Sequence, residues 1–183
     1  MHVAYFTERP YRWVDEDVII RNKAYFAVPN SYFDHVRGAE DYNYYLDEYV
    51  RAEELGFDGV ALNEHHGNPF CMGSVMNVEA AILARITSRV KILLIGNPLP
   101  VIKHPLRMAE ELATIDLISR GRLVTGWVRG AGSEMLLSPP GDVSHGTTAP
   151  AGAGHGSVRF PSGQKLTGLH ARIPRSIVLL TVK

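Results

Sequence analysis

Four short runs rich in β-branched and aromatic residues, at 2–6, 59–63, 90–95 and 122–128, are separated by segments of helical period, and from the second onward they recur about every 30 residues. Tyr42, Tyr45, Leu46, Tyr49 and Val50 follow the spacing i, i+3, i+4, i+7, i+8, with Gly56 as a stop. A second helical pattern covers about 75–86. A third opens at His104-Pro105, with Pro suited to the first helical position, runs through Met108, Leu112 and Ile115, and stops near Gly121. The predicted order is β-α-β-α-β-α-β. Near-continuous apolar strands such as Ile92-Leu93-Leu94-Ile95 predict a parallel sheet buried on both faces, and no hairpin signals favour antiparallel pairing.

Such an order fits an open doubly wound sheet or the first half of an eight-fold barrel. The residues after each strand choose between them. Barrels carry chemistry on the loops that follow the C-terminal strand ends, and here those ends read Thr7-Glu8, Asn63-Glu64-His65-His66, Gly96-Asn97 and Arg129-Gly130. A dinucleotide fold would need a glycine-rich phosphate loop after the first strand, and none follows Phe6. Residues 7–37, rich in Tyr, Asn and Pro, read as a long loop of the kind that forms part of a pocket or lid at a barrel mouth.

Beyond Ser133-Glu134 the composition changes. Asp142 is the last acidic residue, and Gly, Pro, Ser, Thr and Ala dominate to about Leu169. The expected division is a partial barrel over 1–133 and a low-order tail over 134–183 in which only 176–182 reads as a strand. A shifted reading frame or a prematurely ended gene model would account for the tail, as would a natural Gly/Pro-rich linker. Four strands cannot close a cylinder, so exposed edges and self-association are expected.

Other features narrow the class. The formal charge is zero, with 14 basic against 17 acidic residues before Glu134 and 5 against 2 from there on, so neither nucleic acid nor membrane is expected as a partner. No apolar run approaches the roughly 18 residues of a membrane span, and the first strand begins without a basic region and apolar stretch before it, which reads as cytoplasmic. Cys71 is the only cysteine, which excludes an intrachain disulfide and favours a buried small hydrophobe.

Among the polar candidates, His65 reads equally as a structural or a catalytic histidine. Glu64 fits a general base, although a carboxylate at a helix N-terminus or beside an Arg is the commoner role. His2, His35 and His104 offer no zinc set with the His65-His66 pair, and no metal is expected. Arg129 beside Gly130-Ala131-Gly132 suits a phosphate or another anion, and equally a structural pair with a carboxylate. Glu110, Glu111 and Asp116 read as solvated or paired helix charges.

Taken in order, Glu64-His65-His66, Gly96-Asn97, the segment His104-Pro105-Leu106-Arg107-Met108-Ala109-Glu110, and the segment from Ile118-Ser119-Arg120-Gly121-Arg122 to Arg129-Gly130 resemble the bacterial luciferase-like flavin monooxygenases over about 1–133. The resemblance implies the N-terminal half of a (β/α)8 barrel of TIM type. It implies reduced FMN supplied by a separate flavin reductase, with a deazaflavin as the alternative used by some relatives. Oxygen would add to the flavin, and the resulting peroxyflavin would oxygenate a small organic substrate in a site that excludes water. His65 matches the active-site histidine. Gly96 and Asn97 match the segment against which the flavin ring packs, where the family often has a non-prolyl cis peptide, and Arg129 matches a phosphate ligand. Since the pattern breaks after Glu134, the chain is expected to be a truncated, inactive fragment. A non-enzymatic flavin- or partner-binding half-barrel and a pseudogene product are the alternatives.

Overall fold

The computed structural model describes residues 2–22, 28–67, 69–102 and 104–128. Four strands, β1 (Ala4–Phe6), β2 (Gly59–Leu62), β3 (Lys91–Pro98) and β4 (Leu123–Val128), form one sheet in chain order. Every neighbouring pair is parallel. Parallel neighbours need crossovers, and these are helical: α1 (Glu16–Arg21) and α2 (His35–Glu54) between β1 and β2, α3 (Met76–Ile86) before β3, and α4 (Pro105–Ser119) before β4. The tail beyond Glu134, and with it the expected division of the chain, lies outside the described residues.

The helices begin and end where local chemistry directs. Asp34 accepts from the backbone N–H groups of Val36 and Arg37 at 2.8 and 3.1 Å and so caps α2. At its far end the chain turns through Gly56 at φ 92°. His104 caps α4 by accepting from Arg107 N at 3.4 Å, with Pro105 in the first turn. The segment read as a loop over 7–37 carries α1 and a 3-10 turn at Asn30–Tyr32 and joins α2 at His35. Its anchor is Asp41, wholly buried on α2, which accepts from Arg12 N and Nε and from Trp13 Nε1 and lies 2.7 Å from Arg12 Nη2 in an ion pair.

One face of the sheet meets the helices. Val60, Leu62, Ile92 and Leu94 pack against Tyr49 and Ala52 of α2, Met76, Ala80 and Leu83 of α3, and Leu112 and Ile115 of α4. The sequence predicts burial on both faces, but among the described residues the other face is open. Phe6 and Ile95 are each 42% exposed there. Helices confined to one face are the arrangement of a barrel wall, whose inner residues turn to the axis, and not of a doubly wound sheet.

Two polar side chains fasten the lower rim. Arg122 donates to the carbonyls of Ala84, Thr87, Val90 and Ser119 and to Thr87 Oγ1, tying the ends of α3 and α4 to the start of β3. Glu53 accepts from the N–H groups of Ser88, Arg89 and Val90 and from Ser88 Oγ at 2.7–3.2 Å. Partial burial works to raise the Glu53 carboxyl, but the donors of Val90, Arg89 and Ser88 outweigh it and hold it at about 2 against an ordinary 4.5. A lowered carboxyl contributes stability that is fully present above about 4.5 and is lost as pH falls through about 2. The stability difference between the wild type and Glu53→Gln is therefore expected to be largest above that window and to close within it. Thermal melts across that range test this, and a constant gap refutes it.

Candidate functional site

Thr7-Glu8-Arg9 follows the end of β1, and there the chain sends two neighbouring side chains in opposite directions. Arg9 has φ 56°, a left-handed backbone that costs a non-glycine residue about 1–2 kcal/mol. Its N–H reaches back to Thr7 Oγ1 at 3.3 Å, and its side chain plunges into the protein, 1% exposed. There the guanidinium donates to Thr7 O at 3.0 Å, to Tyr49 Oη at 3.1 Å and to Asn63 O at 2.6 Å. Its Nε lies 2.9 Å from Glu79 Oε2, an ion contact without hydrogen-bond alignment. Burial works against the Arg9 charge, but Tyr49 and Glu79 more than offset it and hold its pKa above the ordinary value. Burial pushes the Glu79 carboxyl up to about 7, against the pull of Arg9 and with a push from Glu64. Gly73 exists to admit this guanidinium, since a Cβ there would stand 1.9 Å from Arg9 Nη2.

Around that buried charge the loops after β1 and β2 zip together. Met72 N donates to Arg9 O at 3.0 Å, Tyr11 N to Pro69 O at 2.8 Å and His65 N to Gly73 O at 3.3 Å. From α2, Tyr42 and Tyr45 donate to the carbonyls of Met72 and Pro10. Cys71 is buried beside Arg9, and burial raises its thiol to about 11, as a packing residue rather than a nucleophile.

His65 stands on this platform at the C-terminal end of β2, its side chain 34% exposed. Its Nε2 lies 3.9 Å from Glu8 Oε2, the oxygen that also accepts from Asn63 Nδ2. Glu64 takes the commoner of its two expected roles: it accepts from Met76 N at 3.0 Å in the first turn of α3, and its other oxygen lies 3.1 Å from His66 Nε2. Glu111 is paired as expected, with Arg107 at 3.0 Å, and also accepts from Asn77 Nδ2.

On the neighbouring strand, the end expected at Gly96-Asn97 comes later. β3 runs past the expected limit at 95 to Pro98, and the register steps from Leu94↔Thr125 to Asn97↔Trp127, one residue more on β3 than on β4. This is a β-bulge, and a bulge on a strand whose other neighbour has already ended tolerates Gly and Pro. Gly96 lies beneath Val128, whose Cγ1 would be 2.3 Å from an added Cβ. Asn97 is wholly buried and donates to Thr125 Oγ1 and Gly126 O at 3.0 Å each, so its side chain knits β3 to β4. No peptide bond among the described residues is cis, so the cis peptide implied at 96–97 is absent. Arg129 lies just beyond β4, outside the described residues.

The structure thus brings His65 and the 96–97 segment to the same edge of the sheet, on adjacent strands, and adds Glu8 to them. Sequence reasoning missed the Arg9–Glu79 pair. Its signal was present, because Glu79 falls three residues after Met76 and four before Leu83 on the apolar stripe of α3, where a carboxylate needs a partner.

Comparison with known proteins bears on this edge. The family described as luciferase-like monooxygenase matches residues 24–141. The alkanal monooxygenase alpha chain of Photobacterium leiognathi is 31% identical over 107 residues, covering 56% of this chain and 30% of that relative. The alpha chain from Photorhabdus luminescens is 38% identical over 79 residues, covering 43% and 22% respectively. The chain therefore spans under a third of the length of these relatives. Among solved structures, the oxygenating constituent of 3,6-diketocamphane monooxygenase of Pseudomonas putida, a type II Baeyer-Villiger monooxygenase in complex with FMN, aligns with TM-score 0.54. The alignment covers 72% of this chain and 30% of that one at 20% identity, a likeness of fold alone.

Proposed function

Because this chain belongs to the luciferase-like monooxygenase family, we propose that its C-terminal sheet edge is the flavin side of a monooxygenase site that uses reduced FMN and oxygen on a small organic substrate. The observation that carries this reading is the position of His65, one-third exposed at a strand end inside the family-matched segment. The surroundings fit a flavin: Phe6 and Ile95 offer exposed apolar surface on the inner face of the sheet below that edge. When bound, reduced flavin would supply the electrons that activate oxygen, delivered to this chain by a separate reductase.

The residues of the chain then have separable tasks. His65 would hold or move a proton at its imidazole beside the ring, with Glu8 next to it. Gly96 and Asn97 would present backbone, since the Asn97 side chain is committed to β4. Arg129 would pair with the flavin phosphate. Apolar residues on the inner face would keep water from the reacting atoms.

Titration of the full chain with FMN and with riboflavin tests the assignment. Loss of a charge-assisted contact of about 1.5–3 kcal/mol corresponds to roughly 10- to 100-fold. Arg129→Ala is therefore expected to weaken FMN binding by that factor and riboflavin little. Equal losses for both would refute the phosphate contact. Tighter binding of a 5-deazaflavin than of FMN would move the cofactor assignment to the alternative.

A second reading is favoured by one observation. β1 and β4 each have one edge without a strand partner among the described residues, which suits a flavin-binding half-barrel without oxygenation of its own. Flavin binding without reductant-dependent product formation would select it.

A further inference from the structure

The geometry points to Glu8 as the positioning residue that sets the orientation and tautomer of the His65 imidazole. This rests on the reading of His65 as the residue beside the flavin. Three observations converge on Glu8. The left-handed turn at Arg9 is held from below by Asn63 O, Thr7 O, Tyr49 and Glu79, so the preceding residue is directed by a fixed backbone. Asn63 is used twice: its carbonyl accepts from Arg9, and its side-chain amide donates to Glu8 Oε2, fixing the carboxylate in place. That same oxygen lies 3.9 Å from His65 Nε2, while the backbone of His65 is tied to Gly73 O and its ring lies 6.2 Å from that of Phe70.

A separation of 3.9 Å is longer than a hydrogen bond and is closed by a small rotation of either side chain. An ionised carboxylate only accepts hydrogen bonds. Facing Nε2, it favours the ring form whose proton sits on that nitrogen and disfavours the other tautomer. Glu8 need touch neither flavin nor substrate to do this, and its effect passes through His65.

The test is nitrogen NMR of the full chain at mildly alkaline pH, where two-bond correlations distinguish the tautomers of His65. The wild type is expected to show the Nε2–H form. Glu8→Leu should lose that preference and give a mixture, and Asn63→Ala, which frees the carboxylate without removing it, should lie between. An Nδ1–H ring in the wild type, or an unchanged Nε2–H pattern in Glu8→Leu, overturns the inference. Failure of the FMN titration would sink the flavin reading alone, because the tautomer measurement needs no cofactor.

Discussion

Arg9→Ala is expected to cost about 3–5 kcal/mol, the usual penalty for removing one partner of a buried ion pair. That is a large part of the roughly 5–15 kcal/mol by which a domain is stable. The change strips hydrogen bonds from Thr7 O, Tyr49 Oη and Asn63 O and leaves Glu79 buried at 5% exposure with no cation. Glu79 supplies a signature. Its carboxyl is already raised to about 7, so the stability gained from its protonated form is fully present below about 4.5 and is lost as pH rises through about 7. Without Arg9 the carboxyl moves higher still, so the deficit of the variant should narrow as pH falls toward about 7 and level off below it. Urea unfolding of the full chain at several pH values measures both effects. The double change Arg9→Met with Glu79→Leu should recover most of the loss. A deficit independent of pH would show that the pair is not the source.

His65→Ala is expected to have the larger functional effect. General acid–base groups contribute about 10²–10⁴-fold, and product formed per flavin oxidised should fall by that order while flavin binding persists. Stability should change little, because the ring is one-third exposed and the backbone bond from His65 N to Gly73 O survives the substitution. The measurement is product against oxygen consumed with reduced FMN supplied. Unchanged coupling would remove His65 from the mechanism, and lost flavin binding would make it a binding residue.

The framework of this fold was legible because helical and strand periods alternate clearly, and because Gly56, His104-Pro105 and Gly121 mark helix limits that the structure keeps. What escaped was whatever depended on pairing. The bulge in β3 arises from its match to β4, so the strand was expected to end at 95 and not at Pro98. α1 was hidden because six residues, Glu16–Arg21, give too short a window for a period to emerge. At the site, His65 and Glu64 were visible from their place after a strand. The partnership of Glu8 with His65, and of Arg9 with Glu79, joins residues more than fifty positions apart and needed the sheet to bring them together.

The Arg122 clamp has a consequence for how the chain opens. One guanidinium holds carbonyls at the end of α3, at the threshold of β3 and at the end of α4. Neither helix can fray from its C-terminus without releasing bonds that belong to the other. The smallest cooperative unit in this part of the molecule is therefore not a helix or a strand but the whole α3-β3-α4 block, which should protect its amides from exchange as one foldon.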